Sequence, residues 1–219
     1  MSTKDVDTLG EEIIRSYGCI PSFLNYNGYP ASICVSVNQE VVHGIPDKHR
    51  IIQEGDIVSL DAGVIYKGYH SDAARTHAVG EVSEEAKKLI QVTKESFFEG
   101  IKFAKAGNHL FDISGAIGRY AEERGYGVVR DLCGHGIGTA LHEAPEIPNY
   151  EVGRKGVRLR PGMTLAIEPM INIGTHEVDW LDDDWTVVTR DGSLSAHYEN
   201  TILITEGVPR ILSLTCENE

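Results

Sequence analysis

Four carboxylates stand on two copies of one short pattern. In GDIVSLD, Gly55 is followed after five residues by Asp61; in GMTLAIE, Gly162 is followed after five residues by Glu168. Each acid is answered by a second: Asp72 stands eight residues before Gly80 in DAARTHAVG, and Glu199 eight before Gly207 in ENTILITEG. Four carboxylates on strands with buried patterning repel one another unless a cation neutralises them. A metal is the simplest such cation, and four facing acids call for two of them. His135, in CGHGIG, sits among glycines that let the backbone pass close to something and leave the imidazole open. Carboxylates with one imidazole suit manganese, iron or cobalt as well as zinc, and suit structural zinc poorly. His142 and His43 (in VVHGIP) are candidate donors of a proton, or of a hydrogen bond to a developing oxyanion. His49, His70, His77, His109 and His176 have no such context, and Asp182–Asp184 reads as a solvated run.

The elements that must carry these groups are legible in outline. A helix is expected over 5–17, ending at Gly18. Residues 32–37 and 40–43 form an expected hairpin around Asn38-Gln39. Two strands within 55–80 join near Lys67-Gly68, which brings Asp61 and Asp72 across from each other on adjacent strands. Ser83 before Glu84-Glu85 starts a helix that runs to about Ala106, and a second covers 111–124. The stretch 131–162 reads as loop. Strands follow at 163–172 and 185–190, and the Asp191-Gly192 hairpin turn leads into a strand at 194–204. The same reasoning that pairs the first two acids brings Glu168 and Glu199 together. By strand alternation His197 shares a face with Glu199.

The composition, 41% hydrophobic and 24% charged over 219 residues, is that of a globular chain able to bury a core. The expected class is α+β with mainly antiparallel pairing. The duplicated pattern makes 1–219 one domain of two related halves, about 1–105 and 106–219. No run of about 18 apolar residues exists, so no membrane span is expected. A net charge of −13 argues against direct nucleic-acid binding. Cys19, Cys34, Cys133 and Cys216 show no paired spacing, so reduced thiols are expected.

Taken in order, VNQEVVHGIP, GDIVSLDAG, GYHSDAARTHAVG, CGHGIG with LHEAPEIPNY, TLAIEPM and SAHYENTILITEG resemble type I methionine aminopeptidases along the whole chain. The resemblance implies the pita-bread fold, pseudo-twofold, a mainly antiparallel curved sheet with helices on its outer face. It implies a dinuclear metallo-exopeptidase that removes N-terminal methionine from nascent proteins and peptides when the second residue is small. Its two divalent ions would be cobalt, manganese, iron or zinc. Asp61 matches a ligand of one ion, Asp72 and Glu199 the bridging carboxylates, and His135 and Glu168 ligands of the other. Glu168 resembles the general base. His142 resembles the histidine that steadies the tetrahedral intermediate, and His43 the one that contacts the substrate backbone and helps protonate the leaving amine. The methionine pocket would draw on Tyr26, Tyr29, Cys34, Leu141 and Trp185, beside His43 and His142. Leu141 stands where the family often has an aromatic residue, which implies a roomier pocket. His197 and Asn200 also differ from the commonest choices. The N-terminal helix that usually precedes the segment matching TKDVDTLGEEIIRSYG is missing, so exposed apolar surface could drive association of an expected monomer. A cytoplasmic protein acting on nascent N-termini follows, with the ribosome a further candidate partner. The rival readings are an X-Pro peptidase and a non-enzymatic peptide- or partner-binding relative of the same fold.

Overall fold

A computed structural model of the chain describes residues 1–214; Cys216 lies outside them, and Cys19, Cys34 and Cys133 are unbonded thiols. Helix α1 (Thr3–Ser16) begins two residues earlier than the hydrophobic periodicity predicts. Ser2 and Asp5 cap it reciprocally: Asp5 N–H donates to Ser2 Oγ at 3.1 Å and Ser2 N–H to Asp5 Oδ2 at 2.7 Å. Short β1 (Ile20–Pro21) and a single 3-10 turn at Tyr26–Gly28 follow, then β2 (Cys34–Val37) and β3 (Glu40–Val42). The turn at Asn38 forms, yet β2 and β3 do not ladder with each other as a hairpin would; β2 pairs with β4 (Ile57–Tyr66). The long hairpin of β4 and β5 (Tyr69–Ala78) closes through Lys67 and Gly68, both left-handed at φ 51° and 84°, the conformation a two-residue hairpin turn requires.

Helix α2 (Glu84–Ile101) is capped by Ser83, whose Oγ accepts from Ala86 N–H at 3.1 Å. It ends before the expected Ala106 because the chain turns away there, and Ala106 N–H donates to Thr205 O at 3.0 Å. Helix α3 (Leu110–Glu122) follows. Beyond β6 (Gly127–Val128), the segment expected to be loop holds two strands, β7 (Gly134–Gly136) and β8 (Glu143–Ile147). Glycines and Pro145 hide them from propensity. Pro145 is tolerated because β8 is a sheet edge.

The expected strand at 163–172 is two, β9 (Thr164–Ile167) and β10 (Met170–Asn172), interrupted at Glu168-Pro169. After β11 (Val178–Trp180) and β12 (Val187–Thr189), the expected 194–204 strand is likewise two, β13 (Ser195–His197) and β14 (Asn200–Leu203), before β15 (Arg210–Ile211). The Asp191-Gly192 turn forms but joins no ladder. Instead β12 pairs with β11 and β3, and β13 pairs with β10.

Every strand ladder among the described residues is antiparallel, in sheets ordered β1-β4-β2 with β5 on β4, β13-β10-β6, β11-β12-β3, and β15-β14-β9-β7-β8. Helices α2 and α3 pack on one side: Phe97, Ile113 and Ile117 meet Leu165, Ile167 and Ile202, while Leu89 meets Ile57, Ile171 and Ala196. Alternation turns Ala166 the other way, into a cluster with Tyr29, Cys34, Ile137 and Leu141. The functional groups gather on that second side. No helix among the described residues is long and apolar enough to cross a membrane.

Candidate active site

The acids of the first half ride on the β4–β5 hairpin. Asp61 lies opposite Ala74 and Asp72 opposite Gly63. They are therefore diagonal neighbours on one face, not directly across as their spacing implies. The two-residue turn fixes the register at Tyr66 opposite Tyr69, which leaves them two positions apart. In the second half, Ile167 faces Asn200 and Met170 faces His197. One register runs through both ladders, so Glu168 stands across from Glu199 in the gap between them. Pro169 has no N–H to offer there. Tyr198 N–H donates to Pro169 O at 3.2 Å, and Asn149 Nδ2 to Glu168 O at 3.0 Å.

Main-chain and side-chain hydrogen bonds join the two halves at β5 and β14. Glu199 N–H donates to Ala74 O at 2.9 Å. Thr201 Oγ1 accepts from Asp72 N–H at 2.8 Å and donates to Asp72 O at 3.0 Å. Arg75, its guanidinium 4.2 Å from the Tyr198 ring centre, donates to Glu199 O and to Asn200 Oδ1.

His135 lies on β7, between β8 and β9, and its glycines have a steric purpose. A Cβ at Gly134 would sit 2.4 Å from Ala166 O, and one at Gly136 2.4 Å from Ala144 O. His135 Nδ1 is 2.8 Å from Gly136 O. A carbonyl only accepts, so Nδ1 carries the proton and the Nε2 lone pair faces the acids, 3.6 Å from Glu168 Oε1. Asp72, His135 and Glu199 each place a ligand atom within 4.8 Å of the others.

The electrostatics ask for cations. Burial, then the charges of Asp72 and Glu168, push the Asp61 carboxyl well above its usual range. Burial followed by Asp72 does the same to Glu168, which keeps only 14% of its side chain exposed. Glu199 is raised by burial and by all three other acids. Burial lifts Asp72 to about 6. Burial lowers His135 to about 4, so its imidazole is neutral at neutral pH and able to ligate. Asp61 Oδ1 and Glu199 Oε1 are buried with no hydrogen-bond partner. Orphaned, mutually repelling carboxylate oxygens beside a neutral imidazole fit a divalent-cation site.

All twelve residues singled out from the sequence border one cavity of about 190 Å³, with Phe23 and Asn27. A larger groove of about 990 Å³ near the end of α2 has one carboxylate, Glu206, and no histidine in its lining. In the cavity wall Tyr29 donates to Gly44 O at 3.0 Å and meets Trp185 edge-on at 5.1 Å. Trp185 is presented by a turn in which Asp183 Oδ1 accepts from Trp185 N–H at 2.9 Å and Thr186 N–H at 2.7 Å. Tyr26 OH lies 2.8 Å from His142 Nδ1, and the His142 ring stands 4.3 Å from that of His135. His43 is left-handed at φ 59°, a conformation costly for a non-glycine residue. Burial lowers it to about 4, with His142 adding to the effect. Sequence reasoning passes over Phe23 and Asn27. The available signal for Phe23 is Gly63, inside a strand, where a Cβ would lie 2.5 Å from the Phe23 ring. His197 is 2% exposed and outside the cavity wall; its Nε2 lies 3.9 Å from Glu199 Oε2.

Comparison with known proteins agrees with this geometry. Residues 1–206 match the family model of metallopeptidase family M24. A Clostridium acetobutylicum protein named methionine aminopeptidase is 58% identical over 217 residues, covering 99% of this chain and 86% of its own length. The crystal structure of methionine aminopeptidase from Thermotoga maritima superposes with a TM-score of 0.95 at 49% identity, covering 98% of this chain and 86% of that one. The Xaa-Pro dipeptidase of Bacillus anthracis is more distant, with a TM-score of 0.76 at 28% identity, and this chain spans 53% of it.

Proposed function

The chain belongs to metallopeptidase family M24, and from that premise we propose that it is a methionine aminopeptidase of the pita-bread fold, hydrolysing the N-terminal methionine of peptides and nascent proteins whose second residue is small. The observation that carries this reading is the convergence of Asp61, Asp72, His135, Glu168 and Glu199 on one cavity with apolar walls.

Asp61, Asp72, His135, Glu168 and Glu199 would hold two divalent cations there, Asp61 serving one, His135 and Glu168 the other, and Asp72 and Glu199 both. When bound, they lower the pKa of water and polarise the scissile carbonyl; cobalt, manganese, iron and zinc all suit the donor set. Around them the chain's own residues do the rest. Tyr29, Cys34, Leu141 and Trp185 enclose an apolar, sulfur-bearing side chain. The ionised acids hold the substrate's free α-amino group, which confines attack to the first peptide bond. Glu168 takes the proton of the attacking water and passes it to the leaving nitrogen. Tyr26 OH and His142 Nδ1 lie 2.8 Å apart; with Tyr26 as the donor of that pair, His142 Nε2 would carry the proton and donate to the developing oxyanion. His43 is neutral at neutral pH, so it serves by hydrogen bonding to the substrate backbone, and the proton for the amine comes from Glu168. One chain supplies all twelve residues, so a monomer suffices. The catalytic unit comprises two related halves, about 1–105 and 106–219, and works in the cytoplasm where nascent N-termini emerge.

The test pairs metal analysis with a peptide assay. Purified protein should release methionine from Met-Ala-Ser in proportion to its bound metal, lose activity to chelator and regain it with Mn²⁺. An X-Pro peptide should be a poor substrate. Asp72→Asn and Glu199→Gln should each abolish turnover; a variant keeping more than a small fraction of wild-type activity with metal supplied would refute the assignment.

A further inference from the structure

His197 is a buried imidazole without a partner. It is 2% exposed, and neither Nδ1 nor Nε2 has a hydrogen bond. Such a group costs stability unless something compensates it. Its main chain is clamped: His197 N–H donates to Thr76 Oγ1 at 2.8 Å, and Thr76 Oγ1 lies 3.0 Å from His197 O. On the other side β13 ladders with β10, Met170 facing His197. The ring is thus held in place two residues from Glu199, with Nε2 3.9 Å from Glu199 Oε2. The other oxygen, Oε1, is itself buried and unpartnered. A buried imidazole able to donate and a neighbouring carboxylate that, once ionised, only accepts are complementary.

We propose that His197 is a positioning residue for Glu199: its Nε2–H donates to Oε2 and so aims Oε1 at the cation site. Closing the gap to hydrogen-bond length takes a shift of about 1 Å. Such outer partners orient carboxylate ligands and set metal affinity, and their loss weakens it by about 10–100-fold. The inference rests on the metallopeptidase reading, and its test separates the two. Metal-free wild type, His197→Ala, His197→Leu and His197→Gln are titrated with Mn²⁺ by calorimetry, and kcat and KM for Met-Ala-Ser are measured at saturating Mn²⁺. Thermal melts in chelator check that each variant is folded. Loss of the donor in Ala and Leu should weaken Mn²⁺ binding about 10–100-fold, and should lower kcat while leaving KM unchanged. Gln, which keeps an N–H donor, should restore affinity to within a few-fold. If Ala does not fold, Leu, which fills the space, decides against Gln. Equal Mn²⁺ affinity for wild type, Leu and Gln overturns the inference. So does a Gln variant as weak as Leu. A wild type that takes up no Mn²⁺ at all overturns the metallopeptidase reading, and this inference with it.

Discussion

A carboxylate buried among carboxylates is stable only in company, and Asp72 makes the point measurable. Burial raises it to about 6 in the folded protein, while an unfolded chain releases that proton near 4. Between these values the folded state binds more protons. The group's contribution to stability is therefore complete below about 4 and is lost as pH rises through about 6. Asp72→Asn imitates the protonated acid and still lets Oδ1 accept from Ala73 N–H, now 3.0 Å away. In chelator the variant should unfold with wild type at pH 4 and should be the more stable of the two at pH 7.5, by at most about 3 kcal/mol. Urea denaturation at both pH values measures this; a stability difference that does not change with pH contradicts it. Asp61, Asp72, Glu168 and Glu199 can be found from sequence because glycine spacing repeats around them. Phe23 and Asn27 cannot, since neither residue type advertises chemistry. Nor can the orphaned state of His197: strand alternation places it beside Glu199, but whether a polar atom has a partner depends on every element packed around it.

Elements decide where these side chains point. The long hairpin is legible because Lys67-Gly68 supplies a left-handed pair between two alternating strands. The hairpins expected at Asn38-Gln39 and Asp191-Gly192 show the limit of that logic. Both turns form, but the strands beside them ladder with β4 and β12, and with β11, β3 and β10, so a turn signal locates the chain reversal without specifying which strands pair. The segment around His135 fails differently. Gly-His-Gly has no strand propensity, yet it lies as β7 between two neighbours that approach too closely for a Cβ at Gly134 or Gly136. Gly134→Ala is thus an overpacking substitution against main chain that cannot rotate away. It should cost about 1–3 kcal/mol or more in urea denaturation, and by displacing β7 it should lower Mn²⁺ affinity and activity together. Wild-type stability and wild-type Mn²⁺ affinity in this variant would show that β7 has room after all.

At the scale of the whole molecule, the five candidate ligands come from β4, β5, β7 and the two gaps that interrupt β9–β10 and β13–β14. They span the chain from Asp61 to Glu199, so cations held among them would further tie together segments that hydrogen bonds at Ala74, Arg75, Thr76 and Thr201 already join. The folded chain offers this site and the unfolded chain does not, so metal adds stability by mass action, about 2.7 kcal/mol at a hundred times Kd. For a chain of this size that raises Tm by about 5–10 °C. The pH dependence follows from what the cation must displace. His135, lowered to about 4, is already neutral above pH 5 and sets no limit there. Asp72 at about 6, with three neighbours raised well above the ordinary range, still holds protons that binding must expel. The rise in Tm caused by Mn²⁺ should therefore be small at pH 5 and grow as pH passes through 6 to 7.5, with chelator abolishing it at every pH. Calorimetric scans with Mn²⁺ and with chelator at the three pH values measure it. A shift that is larger at pH 5 than at pH 7.5, or absent at both, would mean that these acids do not share a cation.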